Sequence, residues 1–187
     1  MYNQKKHILK RKKTMNSAYI YLQIYRMFDR YTPLPTDCGT YCGAVCCKGD
    51  EESGMYLFPG EKAVYDLIKP EGMTITGSGF EYEYGGKLRR TPILICKGSC
   101  DRAFRPLACR IFPLTPVLDK DDRIKIITDP RAKRLCPLTD ALAPDEYEPD
   151  FIRAVQRAFD LLRHNKQVLA FLCEYTDYIN DFNKFFG

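Results

Sequence analysis

The chain has 187 residues, a formal net charge of +5, 45% apolar residues and nine cysteines. That length sustains one domain with a core of its own, and no run approaches the ~18 apolar residues that a membrane-spanning helix needs. Lys5, Lys6, Lys10, Arg11, Lys12 and Lys13 carry the surplus charge, so the remainder is close to neutral. A short basic stretch of this kind is ordinarily just solvated, so neither nucleic acid nor an anionic membrane is expected as a partner.

Residues 1–15 read as a basic N-terminal tail and residues 16–187 as a single domain. A helix is predicted over residues 17–31, where Ile20, Ile24, Met27 or Phe28, and Tyr31 recur at three- and four-residue spacing. Arg26 and Asp29 interrupt that stretch, and it ends in no small-residue cleavage site. It therefore does not read as a secretory signal, and the protein is expected in the cytoplasm. Pro33 and Pro35 end this helix.

Residues 60–69 suggest a second helix, stopped by Pro70 and Gly72. The block MTITGSGFEYEYGGKLRRTPILICKG places Gly85-Gly86 between two β-prone runs, the signature of a hairpin, and its second run ends at Cys96. A further strand is expected over residues 123–128. Residues 149–186 read as two helices with a break near His164-Asn165, the first with Phe151, Val155, Phe159 or Ala158, and Leu162 on one face. The second aligns Leu169, Leu172, Tyr175 or Thr176, Ile179 and Phe182. Gly77 and Gly79 read as turn residues.

The stretch DCGTYCGAVCC holds Cys38, Cys42, Cys46 and Cys47, and ICKGSCDRAFRPLACRIFPL with RLCPL adds Cys96, Cys100, Cys109 and Cys136. In a reducing cytosol grouped thiols point to metal or redox chemistry rather than disulfides. The C-x₃-C spacing, with no βαβ pattern around it, argues against a thioredoxin-like site. Cys38, Cys42 and Cys46, four apart, would form a column on a helix. Adjacent Cys46 and Cys47 serve one tetrahedral ion poorly but would suit two neighbouring sites.

Eight thiols match two Cys₄ zinc sites, or one four-cysteine iron–sulfur cluster with a second thiolate site. Zinc is preferred, because closed Cys₄ sites in loop-rich folds are most often zinc. Lys97, Arg102, Arg105, Arg110, Arg131, Lys133 and Arg134 lie near the later cysteines in sequence, where they would stabilise thiolates. Cys173 is expected as a small buried apolar residue. His7 and His164 offer no partner set for catalysis.

The fold expected is α+β: a small metal-stabilised, cysteine-rich loop core with a β-hairpin or small antiparallel sheet and a C-terminal helical hairpin. The cluster ending in CC, the C-x₃-C pair, RPLACRIFPL and a last cysteine before proline resemble the YkgJ-like cysteine-cluster family, described as a zinc- or iron-chelating domain. The resemblance covers about residues 38–136, with Arg105-Pro106, Arg110 and Phe112-Pro113 matching its RP-x-x-CR-x-FP segment. The CxxxCxxxCC spacing departs from the commoner CxxCxxCC form.

Flagellin lysine N-methylases belong to the same family. The resemblance therefore implies, besides metal chelation in a structural or metal-handling role, an S-adenosylmethionine-dependent lysine N-methyltransferase aided by an iron–sulfur cluster. A third use is a metal-braced interaction module, with Tyr175, Tyr178, Phe182, Phe185 and Phe186 of the C-terminal helices binding a protein partner or a second copy.

Overall fold

A computed structural model describes residues 2–48, 54–97 and 101–186, with residues 2–14 and Ser78 described by backbone alone. Helix α1 runs Tyr2–Met27, so the basic stretch expected as a tail is the first half of a helix. Lys, Arg, Gln and Leu are good helix formers, and no Pro or Gly occurs before Pro33. The buried face of α1 is Ala18, Tyr21, Ile24 and Tyr25, continued by Phe28 just past its end, whereas Ile20, placed on the predicted apolar stripe, is 44% exposed. The large rings of Tyr21 and Tyr25 claim the core instead, their hydroxyls bonding to Pro59 O and Glu61.

A three-stranded antiparallel sheet follows, in the order β1 (Gly54–Tyr56), β3 (Leu88–Cys96), β2 (Met73–Glu83). The hairpin turns at Gly85 and Gly86, both at positive φ, the backbone state that glycine adopts most cheaply. Gly77 and Gly79 lie within β2, where its register to β3 shifts between Thr76 and Phe80, rather than in a turn. A Cβ at Gly79 would come within 2.8 Å of Ile93 Cδ1, so a side chain here would have to displace that of Ile93.

Helix α2 spans Cys38–Cys42, α3 Lys62–Ile68 and α4 Leu107–Ile111, and a second hairpin pairs β4 (Leu114–Leu118) with β5 (Ile124–Thr128). After α5 (Leu138–Ala141) come α6 (Pro149–Leu162) and α7 (Lys166–Phe186), broken where the sequence places the break. Helix α7 packs on β2 and β4, α6 on β5, and α1 on α3, α4 and α6.

Phe171, fully buried, is surrounded by the rings of Tyr56, Phe58, Phe80, Tyr82 and Tyr175. This aromatic core joins the sheet to the C-terminal helices, and each such ring contributes roughly 1.5–3 kcal/mol through burial. The architecture is α+β with a small antiparallel sheet and C-terminal helices. No helix among the described residues is long and apolar enough to cross a membrane.

Candidate metal centre

The first cysteines do not form one helical column. Asp37 caps α2 by accepting the Gly39 N–H at 3.0 Å, and the helix then ends at Gly43 and Ala44, both left-handed. Cys38 and Cys42 share α2, with the Cys42 thiol donating to the Cys38 carbonyl, and Cys46 and Cys47 sit on the separate 3₁₀ turn Val45–Cys47. The positive-φ pair turns the chain because Gly43 carries no Cβ penalty and Ala44 a small one.

Cys136 follows the 3₁₀ turn Pro130–Arg134 and is buried, its N–H bonded to Ala132 O at 2.8 Å. Burial raises the Cys38 thiol first, then the charges of Asp37, Cys42 and Cys136, with Arg102 opposing. Burial likewise raises Cys136, with Cys42 adding to it. Cys46 is raised chiefly because it donates to Cys47, and Cys38 and Cys42 add to this. Cys38 and Cys42 therefore lie in the field of both Cys46 and Cys136.

A second grouping surrounds a cavity of about 280 Å³ whose lining includes Cys46, Cys47, Cys96 and Cys109, together with Met55, Met73 and Arg105. Cys96 closes β3 opposite Met73, and Cys109 is presented by α4. The bond from Cys46 lowers the Cys47 thiol to about 6; Arg105 helps, while burial and Asp37 oppose. The adjacent pair stands where the two groupings meet. Cys100 lies outside the described residues.

As they lie, no three Cys, His, Asp or Glu side chains among the described residues stand close enough together to hold a metal ion. The donor chemistry nonetheless suits a thiophilic ion, since none of the described cysteines is in a disulfide and Cys47 favours its thiolate. Tyr147 adds a second observation. Its hydroxyl is buried without a hydrogen-bond partner and feels the charge of Cys136. A buried O–H without an acceptor is costly, and a metal-bound thiolate is an acceptor.

Several expected roles change. Cys173 is exposed, because the inner face of α7 is taken by Leu172, Tyr175, Thr176 and Ile179. Arg110 does not serve the thiols: its guanidinium bonds to the carbonyls of Tyr25, Arg102, Ala103 and Arg105 and stacks over Tyr25 at 4.3 Å. Arg131 pairs with Asp129 and Tyr175, surrounded by the rings of Tyr56, Tyr175 and Tyr178. Lys97, Lys133 and Arg134 are exposed. Arg102 and Arg105 are left beside thiols.

His164 is exposed at the α6–α7 turn, and the His7 side chain lies outside the described residues. Of the C-terminal aromatics, Tyr175 is buried, Phe182 half-buried, and Tyr178, Phe185 and Phe186 exposed. Glu61, the one carboxylate in the largely apolar run LFPGEKAV, and Met73, visible only through its register with Cys96, carry no spacing signal of their own. No protein-family model, curated protein or solved structure matches the chain.

Proposed function

We propose that the protein binds metal through clustered cysteine thiolates, preferentially zinc and alternatively iron as a 4Fe-4S cluster, in a structural or metal-handling role. Cys38, Cys42, Cys46, Cys47, Cys96, Cys100, Cys109 and Cys136 are the ligand set, and the reading places the chain with the YkgJ-like family. What carries it is the gathering of thiols from separate segments into two adjoining groups, two of those segments burying nothing of their own. Neither α2 nor the turn Val45–Cys47 has a buried residue.

Such segments gain little from the hydrophobic effect, so cross-links through a metal would add order that their own packing does not supply. With four thiolates each, the sites are coordinatively closed and supply stability rather than Lewis-acid chemistry. A partner or second copy would meet the exposed Tyr178, Phe185 and Phe186, and the compartment proposed is the cytoplasm.

The test is metal and acid-labile sulfide content of protein purified without oxygen, with a visible spectrum. One or two zincs per chain without colour are expected. About four irons and four sulfides would select the cluster and make S-adenosylmethionine binding, hence the lysine N-methylase reading, the next assay. Protein that neither carries metal nor takes up zinc or iron overturns the proposal.

A further inference from the structure

Glu61 precedes α3 and is 0% exposed, a place where a carboxylate is expensive unless every lone pair is used. Its Oε1 accepts from the Tyr25 hydroxyl at 2.5 Å and the Leu107 N–H at 2.6 Å, and its Oε2 accepts from the Phe58 N–H at 2.8 Å. All three partners are donors. Beyond Tyr25, the Tyr65 hydroxyl lies 3.3 Å away and donates to the Phe104 carbonyl at 2.9 Å. With Glu61 ionised, both tyrosine protons are therefore directed elsewhere, and the Tyr25–Tyr65 oxygen contact has no proton to fill it.

The titratable and charged groups facing Glu61 are Tyr21 and Tyr25 from α1, Tyr65 from α3 and Arg110 from α4. Arg110 spends its N–H groups on backbone carbonyls, so it offers the carboxylate a field but no hydrogen bond.

We propose that the chain Glu61–Tyr25–Tyr65 is a one-proton switch within the fold. A proton taken from solvent onto Glu61 Oε1 lets the carboxyl donate to the Tyr25 oxygen. The Tyr25 hydroxyl turns to donate to Tyr65, and Tyr65 continues to donate to Phe104. One unbroken run then ties α1 and α3 to the turn Arg102–Phe104, while the Leu107 N–H at the start of α4 keeps its bond to the carboxyl. Releasing the proton leaves a buried charge and opens the Tyr25–Tyr65 link.

Burial raises Glu61 from the usual carboxyl range to about 7, against the pull of its hydrogen bonds and of Arg110. A carboxyl raised in the fold stabilises below its unfolded value, and that stability is lost as pH rises through about 7. The folded state is therefore more stable at pH 6 than at pH 8 on account of this group.

The test follows the ¹³C shift of the Glu61 side-chain carboxyl against pH in the full chain, alone and as Tyr65→Phe. Only the neutral form uses Tyr65 as an acceptor. Tyr65→Phe should therefore lower the midpoint by about one pH unit, the equivalent of one neutral hydrogen bond. In a Tyr25→Phe background the same substitution should leave the midpoint in place, because the relay is already cut. A residue acting only through packing would change stability without moving the midpoint. A wild-type midpoint in the ordinary range near ~4.3 overturns the proposal without any variant, and so does a midpoint that Tyr65→Phe leaves unmoved.

Discussion

The aromatic half of the molecule and the cysteine-bearing half are held by different means. Around Phe171 every ring has others against it, and Phe58, Phe151, Phe159, Val168 and Leu172 are fully enclosed. Around Cys46 the chain runs in pieces three to five residues long, with thiols that are half-buried or exposed. The first region has enough apolar surface to order itself. The second is ordered at its borders by polar clamps: Arg110 on four carbonyls, Arg102 on Phe28 O and Tyr31 O, and Glu61 on α4. At its centre it offers sulfur.

The largest effect that separates the halves should come from the aromatic side. Phe171→Ala removes the ring at the junction of sheet and helices and should cost about 3–5 kcal/mol in denaturant unfolding. Metal content per folded chain should stay unchanged. Coincident loss of metal in the folded protein would show that the halves are one cooperative unit.

Next in size is the cysteine side. Cys46→Ser or Cys109→Ser should lose metal and lower the melting temperature, and a chelator should do the same to the native protein. Amide exchange after chelation should accelerate in α2 and the turn Val45–Cys47 while residues 166–179 of α7 stay protected. Equal metal content in these variants and wild type would sink the ligand assignment.

A finer distinction lies within the adjacent pair. In metal-free protein Cys47 should be alkylated at pH 7 ahead of Cys46, with a rate that falls as pH drops through about 6. The reverse order would place the thiolate on Cys46. The smallest effect belongs to Cys173→Ser, an exposed position that should change stability by less than about 0.5 kcal/mol and leave metal untouched.

Much of the architecture was legible without coordinates, and the reason is local. Gly85-Gly86 marks the hairpin because both residues need positive φ, and the apolar face of α6 follows from the 3.6-residue period, whereas on α7 the period found Leu172, Tyr175, Thr176 and Ile179 but not the enclosed Val168 and Phe171. Strand β1 was not legible: three residues are too few for a period to appear, and it forms because β3 offers Ile93 to Ile95 as an edge. Strand β4 was hidden in the proline-bearing run LTPVL, since Pro reads as a breaker until β5 supplies its partner.

The site divides in the same way. Composition and spacing alone marked eight thiols as one chemical set, because a cysteine's affinity for metal belongs to the residue itself. Which thiols neighbour which was decided by tertiary structure. The turn at Gly43-Ala44 separates Cys38 and Cys42 from Cys46 and Cys47, and β3, α4 and the segment after the turn Pro130–Arg134 deliver Cys96, Cys109 and Cys136 from distant parts of the chain. Tertiary packing likewise put Arg110 and Arg131 to structural use, exposed Cys173 and enclosed Glu61. A side chain's surroundings are set by elements far away in sequence, and no spacing rule within the chain encodes them.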